Sequence, residues 1–212
     1  PRARGGSFDA FGLPGLAMGI NNLLQSLKSI SRPTHVGKYK GKTVAIDTYC
    51  WLHKAAFCCA KELCLGIPTT KYIDYCMHRV RLMQHSGVTP LLVFDGGKLP
   101  MKAGEEGTRE RSRKEYLEKA QAHLASGNHG AANECWQRAV DISPLMAAKL
   151  IQVLKAQGVA YVVAPYEADA QMAHLCLTGQ AYAVITEDSD LIPYGCERVL
   201  FKMDKFGNGM EI

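Results

Sequence analysis

The sequence contains no run approaching the roughly 18 consecutive apolar residues that a membrane-spanning helix requires. Its first 17 residues, Pro1 to Ala17, carry arginines and glycines without a long apolar stretch and do not read as a secretory signal. It has no Cys-x-x-Cys pair and no histidine pair at zinc-finger spacing, so its eight cysteines do not form a zinc motif. Cys50, Cys58, Cys59, Cys64, Cys76, Cys135, Cys176 and Cys196 lie in apolar, helical-looking stretches and read as buried reduced thiols. That usage points to an intracellular, reducing compartment. No internal repeat and no low-complexity tract is present, which sets aside solenoid and fibrous classes. A large excess of one charge is also missing. The formal net charge of +5 permits a polyanionic partner without establishing one.

What is present suits one domain, or one and part of a second. The chain has 212 residues, of which 47% are hydrophobic, enough for a sizeable core. Ile20, Leu23, Leu24, Leu27 and Ile30 recur at helical spacing and predict a short amphipathic helix ended by Arg32-Pro33. Thr43–Ile46 reads as a buried strand, followed by a helix from Thr48 to Leu65 that Gly66 and Pro68 close, and another from Thr70 to His85. Leu91–Phe94 is a second strand. The charged stretch from Pro100 to Ser126, with Gly104 and Gly107 near its start, reads as a mobile lead-in to an exposed helix. Helices are expected at Ala131–Val140 and Pro144–Gln157, the latter with proline at its first position. Strands at Tyr161–Val163, Ala183–Ile185 and Val199–Lys202 enclose a helix from Glu167 to Thr178, and a turn follows at Gly207-Asn208-Gly209. Apolar strands alternating with helices predict an α/β fold with a mostly parallel central sheet flanked by helices on both faces.

The acids fall at the ends of these strands. Asp47 and Asp95 end the first two, Glu187-Asp188-Ser189-Asp190 ends the fourth, and the third runs through a short turn into Glu167-Ala168-Asp169. Ligands of open α/β sheets bind beyond the carboxyl ends of the strands, so at least six carboxylates are expected at one edge. They would repel one another and raise one another's pKa unless a cation neutralised them. Oxygen-only ligands favour Mg²⁺ or Mn²⁺ over zinc, and so many carboxylates suggest two ions, the arrangement that serves phosphodiester cleavage. The competing reading of each single acid is a helix cap or turn. Two residues apart, Glu167 and Asp169 do not share a face of an ideal helix, so either they sit at the helix entry or one acts through water.

Lys102, Arg109, Arg111, Arg113, Lys114 and Lys119 alternate with glutamates in one segment. Composition leaves two readings open: a solvated helix laced with i,i+4 pairs, or a cationic cover that steers a phosphate backbone. Tyr49 and His53, four apart on the helix after Asp47, share a face and could stack on a base, whereas Trp51 reads as core. A phosphatase of the aspartyl-phosphate type would need Asp-x-Asp after the first strand, and Asp47-Thr48-Tyr49 lacks it.

Met18-Gly19-Ile20, Val44–Tyr49, Val93-Phe94-Asp95-Gly96, Ala164–Gln171 and Ile185–Leu191 together resemble, in order, the signatures of the flap-endonuclease/XPG superfamily of 5′ nucleases. Phe201–Gly207 resembles its exonuclease branch, and Cys76–Val80 and Val140–Pro144 lean toward plant-type members. The resemblance implies a PIN-like nuclease fold with a helical gateway insertion. Residues 1–17 lie outside the pattern, 18–116 form the N-terminal nuclease region, 117–155 a helical linker and gateway, and 156–212 an internal nuclease region that stops before a helix-two-turn-helix DNA clamp. It further implies that Asp47, Asp95, Glu167, Asp169, Asp188 and Asp190 hold two Mg²⁺ ions, with Mn²⁺ as a substitute. Gly19, Tyr49, His53 and Arg113 would contact DNA, and Lys102 and Arg109 would both bind DNA and act on the scissile phosphate. The implied substrate is duplex DNA with a nick, gap, 5′ end or flap. The implied setting is a monomeric nuclear enzyme of mismatch repair and recombination, with mismatch-repair proteins as partners. Three features depart from the pattern. A further metal-site aspartate is expected beyond Ile212, residues 1–17 precede the Met-Gly start, and Gly104 and Gly107 interrupt the gateway. A non-catalytic DNA-binding or scaffold protein, an inactive fragment and an RNA-cleaving relative are the other readings.

Overall fold

A computed structural model of the protein describes residues 23–97 and 100–212. The elements run α1 (Leu23–Ser26), β1 (Arg32–His35), a 3-10 turn (Val36–Tyr39), β2 (Thr43–Asp47), α2 (Thr48–Phe57), α3 (Ala60–Cys64), α4 (Lys71–His85) and β3 (Thr89–Phe94). A 3-10 turn (Pro100–Lys102) then leads into α5 (Ala103–Ala125), followed by α6 (His129–Ala139), α7 (Pro144–Ala156), β4 (Ala160–Val163), α8 (Ala168–Leu177) and β5 (Ala183–Thr186). The last are a 3-10 turn (Ser189–Leu191), β6 (Val199–Phe201) and β7 (Asn208–Glu211). Among the described residues no helix is long and apolar enough to cross a membrane.

The strands form one sheet in the order β1-β7-β6-β5-β2-β3-β4. β6, β5, β2, β3 and β4 are parallel, with Ile46 opposite both Leu92 and Ile185. The chain builds outward from β2 through β3 to β4 and then crosses back to place β5 on the other side of β2. The carboxyl ends of β2 and β5 therefore flank the point where the strand order reverses, where a crevice opens in such sheets.

Alternation along the strands sets the two layers. Val44, Ile46, Leu92, Phe94 and Ile185 join one apolar core with α2, α4, α6 and α7. Ala45, Val93, Val184 and Phe201 point to the opposite face, where Met172, Ala173 and Leu175 of α8 cover them. Buried branched side chains of this size contribute about 1.5–3 kcal/mol each.

The sheet ends differently from its parallel centre. β1 pairs antiparallel with β7, from Arg32 opposite Glu211 to His35 opposite Asn208. Arg-Pro-Thr-His has neither apolar alternation nor β-rich composition, which is why this segment reads as a helix stop. Pro33 is accommodated because an edge strand does not need every amide. The expected helix from Thr48 to Leu65 is two helices, turned at Cys58-Cys59 so that α3 packs on α6. The expected mobile lead-in is also different: α5 runs unbroken from Ala103 through both glycines. A Thr108 hydroxyl bond to the Gly104 carbonyl and a Lys114–Glu110 pair at 3.0 Å support it, and its C-terminal half packs along α6. The predicted helix from Ile20 is described only from Leu23 onward, and Gly19 lies outside the described residues.

Candidate metal centre and nucleic-acid face

Asp47 is the last residue of β2 and the N-cap of α2, and it is 6% exposed. Its Oδ1 accepts from the Cys50 amide at 3.2 Å. Its Oδ2 accepts from the Cys50 thiol at 2.7 Å and from the Thr186 hydroxyl at 3.1 Å. Burial pushes the Asp47 carboxyl above the usual range, the Cys50 bonds oppose that, and the charge of Asp95 adds to it. The cap reading of this residue is thus correct in geometry, and the cap sits inside an acidic crevice.

Asp95 leaves β3 and accepts from the Ala168 amide at 2.7 Å through Oδ1, so it anchors the first turn of α8. The two chain segments run together here. The Ala164 amide donates to the Phe94 carbonyl at 2.8 Å, the Gly96 amide to Tyr166 at 2.6 Å and the Gly97 amide to Pro165 at 3.0 Å. A Cβ on Gly96 would stand 1.9 Å from the Ala164 carbonyl oxygen, so only glycine fits.

Glu167 is the extended N-cap residue of α8 and Asp169 lies in its first turn, as their spacing requires. The Asp169 carboxyl is pushed up to about 8, first by burial and then by the charges of Asp47, Asp188, Asp95 and Asp190. The charges of aspartates from three separate segments therefore act on one carboxyl. Asp188 accepts from the Asp190 amide at 2.9 Å and donates its own amide to the Thr186 hydroxyl at 3.0 Å. The Asp190 Oδ1 is buried and has no hydrogen-bond partner among the described residues. Such an atom is expensive to leave unsatisfied.

These observations fit a hard divalent cation. The donors are all oxygens, their charges raise the carboxyls of Asp47 and Asp169, and one buried oxygen has no hydrogen-bond partner among the described residues. Among the described residues, no three His, Cys, Asp or Glu side chains close around a single position, so binding would draw the acids inward. Glu187 stands apart, because its Oε1 pairs with Lys54 of α2 at 2.8 Å.

Sequence reasoning passed over Thr186, reading it only as the end of a strand. Its buried hydroxyl joins Asp47 to the Asp188 backbone. Thr186→Val is expected to lower Mg²⁺ affinity ~10–100-fold while Thr186→Ser retains it, as for other groups that orient metal ligands. Calorimetric Mg²⁺ titration of the folded variants checks this, and equal affinity for Val and Ser would remove the orienting role.

The α2 face beyond Asp47 carries Tyr49 and His53. Burial raises the Tyr49 hydroxyl, helped by Asp95 and Asp141. Burial lowers the His53 ring, with Asp141 opposing and Arg109 and Arg113 assisting. The charges of Arg109 and Arg113 on α5 thus reach the His53 ring on α2. Arg109 is exposed on α5. Arg113 pairs within the chain with Glu106 at 2.9 Å and with Asp141 at 3.2 Å. Lys102 ends the short turn before α5.

Family models match two stretches that meet at this edge, the XPG N-terminal domain over residues 18–116 and the XPG I-region over residues 158–211. The chain belongs to the XPG family. Within it, Exonuclease 1 of Oryza sativa subsp. japonica is 61% identical over 194 residues, covering 92% of this chain and 23% of that protein. The chain spans about a quarter of the length of these curated relatives. The catalytic core of Rad2 in complex with DNA substrate superposes with a TM-score of 0.62 at 20% identity, over 91% of this chain and 54% of that one. The Holliday junction-resolving enzyme GEN1, solved with product DNA and a Mg²⁺ ion, gives 0.55 at 19% identity, over 91% and 40%. These two likenesses speak for the XPG fold.

Proposed function

We propose that this XPG-family chain is the core of a Mg²⁺-dependent 5′-to-3′ exodeoxyribonuclease that also cuts 5′ flaps, acting in mismatch repair and recombination in the nucleus. The observation that carries the reading is that the charges of Asp47, Asp95, Asp188 and Asp190 all act on the buried Asp169 carboxyl. Relatives named Exonuclease 1 and Exodeoxyribonuclease 1 support an exonuclease that acts on DNA. The substrate is duplex DNA with a nick, gap, 5′ end or flap.

Asp47, Asp95, Glu167, Asp169, Asp188 and Asp190 would hold two ions, which supply Lewis acidity at the scissile phosphate and an activated water. The protein's own groups do the rest. Thr186 and Cys50 fix the Asp47 carboxylate, and Asp95 fixes the α8 turn that presents Asp169. Tyr49 and His53 offer a half-buried aromatic face for the terminal nucleotide. Arg109 and Lys102, at the start of the gateway, would draw the phosphate toward the acids and offset charge in the transition state. Lys54 keeps Glu187 out of the ligand set.

The test is release of a 5′ label from a 5′-recessed duplex by the full-length protein. Release is expected with Mg²⁺ or Mn²⁺, and none with EDTA. A folded protein that binds the duplex but releases nothing with either metal would establish the scaffold reading instead.

A further inference from the structure

Both ends of the Arg113 guanidinium meet a carboxylate. Arg113 lies on α5, and its Nη2 donates to the Glu106 Oε1 at 2.9 Å, about two turns earlier on the same helix. Its Nη1 stands 3.2 Å from the Asp141 Oδ1. Asp141 belongs to another part of the fold. It sits in the joint between Val140, the C-cap of α6, and Ser143, the N-cap of α7. Arg113 thereby ties α5 to that joint. The three groups border an open cleft of about 400 Å³, with Glu110, Lys114 and Leu117 on its walls. The Arg113 side chain is 22% exposed and that of Asp141 58%, so the carboxylate is the more hydrated member of the pair. The charge of Asp141 also reaches Tyr49 and His53, the face offered to the terminal nucleotide. An anion there works against an incoming phosphate backbone.

We propose that Asp141 and Glu106 are internal stand-ins for phosphate on Arg113, an autoinhibitory contact that a DNA backbone phosphate displaces. This rests on the reading of the chain as a DNA nuclease and adds to it a carboxylate that opposes binding. A guanidinium is a planar fork whose donors suit the oxygens of a carboxylate and of a phosphate alike. In the free protein, oxygens of two carboxylates already take up both ends of that fork. Arg109 and Arg113 are spaced i,i+4 on α5 and share one face of it. A duplex that engages Arg109 brings a neighbouring phosphate to the same face, and that phosphate takes over the fork from Asp141. Exposed ion pairs are weak, so the exchange is readily reversed when the duplex leaves.

The experiment measures binding of the full-length protein to a fluorescent 5′-recessed duplex, in EDTA so that nothing is cut. Asp141→Asn is expected to tighten binding about 2–5-fold, the worth of one exposed ion pair. Asp141→Ser is expected to behave alike, which guards against a local effect of the amide. Glu118→Gln, at an exposed position of the same helix, removes an equal charge and is expected to change affinity by less. Arg113→Gln is expected to weaken binding, and adding Asp141→Asn to it is expected to gain nothing back, since the two groups act as one pair. Tightening that persists in the Arg113→Gln background, or that Glu118→Gln matches, is a general charge effect and would overturn the proposal. Unchanged binding by folded Asp141 variants would do the same. If the unmodified protein does not bind the duplex at all, the DNA reading itself fails and the contact with it.

Discussion

Gly96→Ala is expected to destroy the acidic edge, whereas Gly97→Ala, one residue on, is expected to leave it standing. The added methyl of Gly96→Ala would sit 1.9 Å from the Ala164 carbonyl oxygen and 2.8 Å from that of Pro165. Both are backbone atoms, so no side chain can swing aside. The segment 164–166 must move, and with it go the Gly96-to-Tyr166 and Gly97-to-Pro165 hydrogen bonds and the Asp95 contact to the Ala168 amide. Overpacking of this severity costs about 3 kcal/mol or more. For a chain of this size that is a fall of roughly 6–12 °C in melting temperature. The chemical cost is larger than the stability cost suggests, because displacing a reacting geometry by 1 Å lowers rate by about 100-fold. A methyl on Gly97 meets the Pro165 oxygen at 3.4 Å, an ordinary contact. Calorimetry and label release on the two variants test this, and equal behaviour of the pair would sink it.

The second large effect has opposite signs in two measurements. Asp169→Asn is expected to abolish cleavage, by more than about 1,000-fold, since the ions it is proposed to help hold would supply several kcal/mol. In metal-free protein the same change is expected to stabilise the fold. The Asp169 carboxyl is raised to about 8 by burial and four neighbouring aspartates. A carboxyl raised on folding favours the folded state only while protonated, so its contribution is complete below the unfolded value and is lost as pH rises through about 8. At pH 8.5 and without metal, Asp169→Asn should therefore melt at least ~4 °C above the unmodified protein. The gap should shrink toward pH 5. Mg²⁺ should raise the melting temperature of the unmodified protein more than that of the variant, because it binds only the intact folded site. Were Asp169 merely a first-turn residue of α8, Asn would be neutral or slightly destabilising at every pH. Melting curves at two pH values, with and without Mg²⁺, separate the two cases.

The Thr186 prediction belongs to the same logic at smaller scale. A hydroxyl that donates to Asp47 and accepts from the Asp188 amide transmits the register of β5 to two acids on different strands.

Much of this organisation is written in residue patterns. The runs Thr43–Ile46, Leu91–Phe94 and Ala183–Ile185 are apolar and bounded, and buried parallel strands need little else to be recognised. A parallel sheet brings the carboxyl ends of its strands to one edge, so the placement of Asp47, Asp95 and Asp188 after those runs, and of Asp169 after Tyr161–Val163, predicts one acidic crevice. Ser143-Pro144 located the start of α7 by local chemistry alone. Tertiary structure decided what depends on contacts between distant segments. The β1–β7 edge is held by backbone pairing across the whole chain, which Arg-Pro-Thr-His does not advertise. The turn at Cys58-Cys59 follows from the need of α3 to reach α6. Arg113 pairs with Asp141 beyond the end of α6, and Lys54 pairs with Glu187 beside the acidic run. Charge, spacing and hydropathy are local properties of a sequence, but which opposite charge a side chain meets is set only when the layers close.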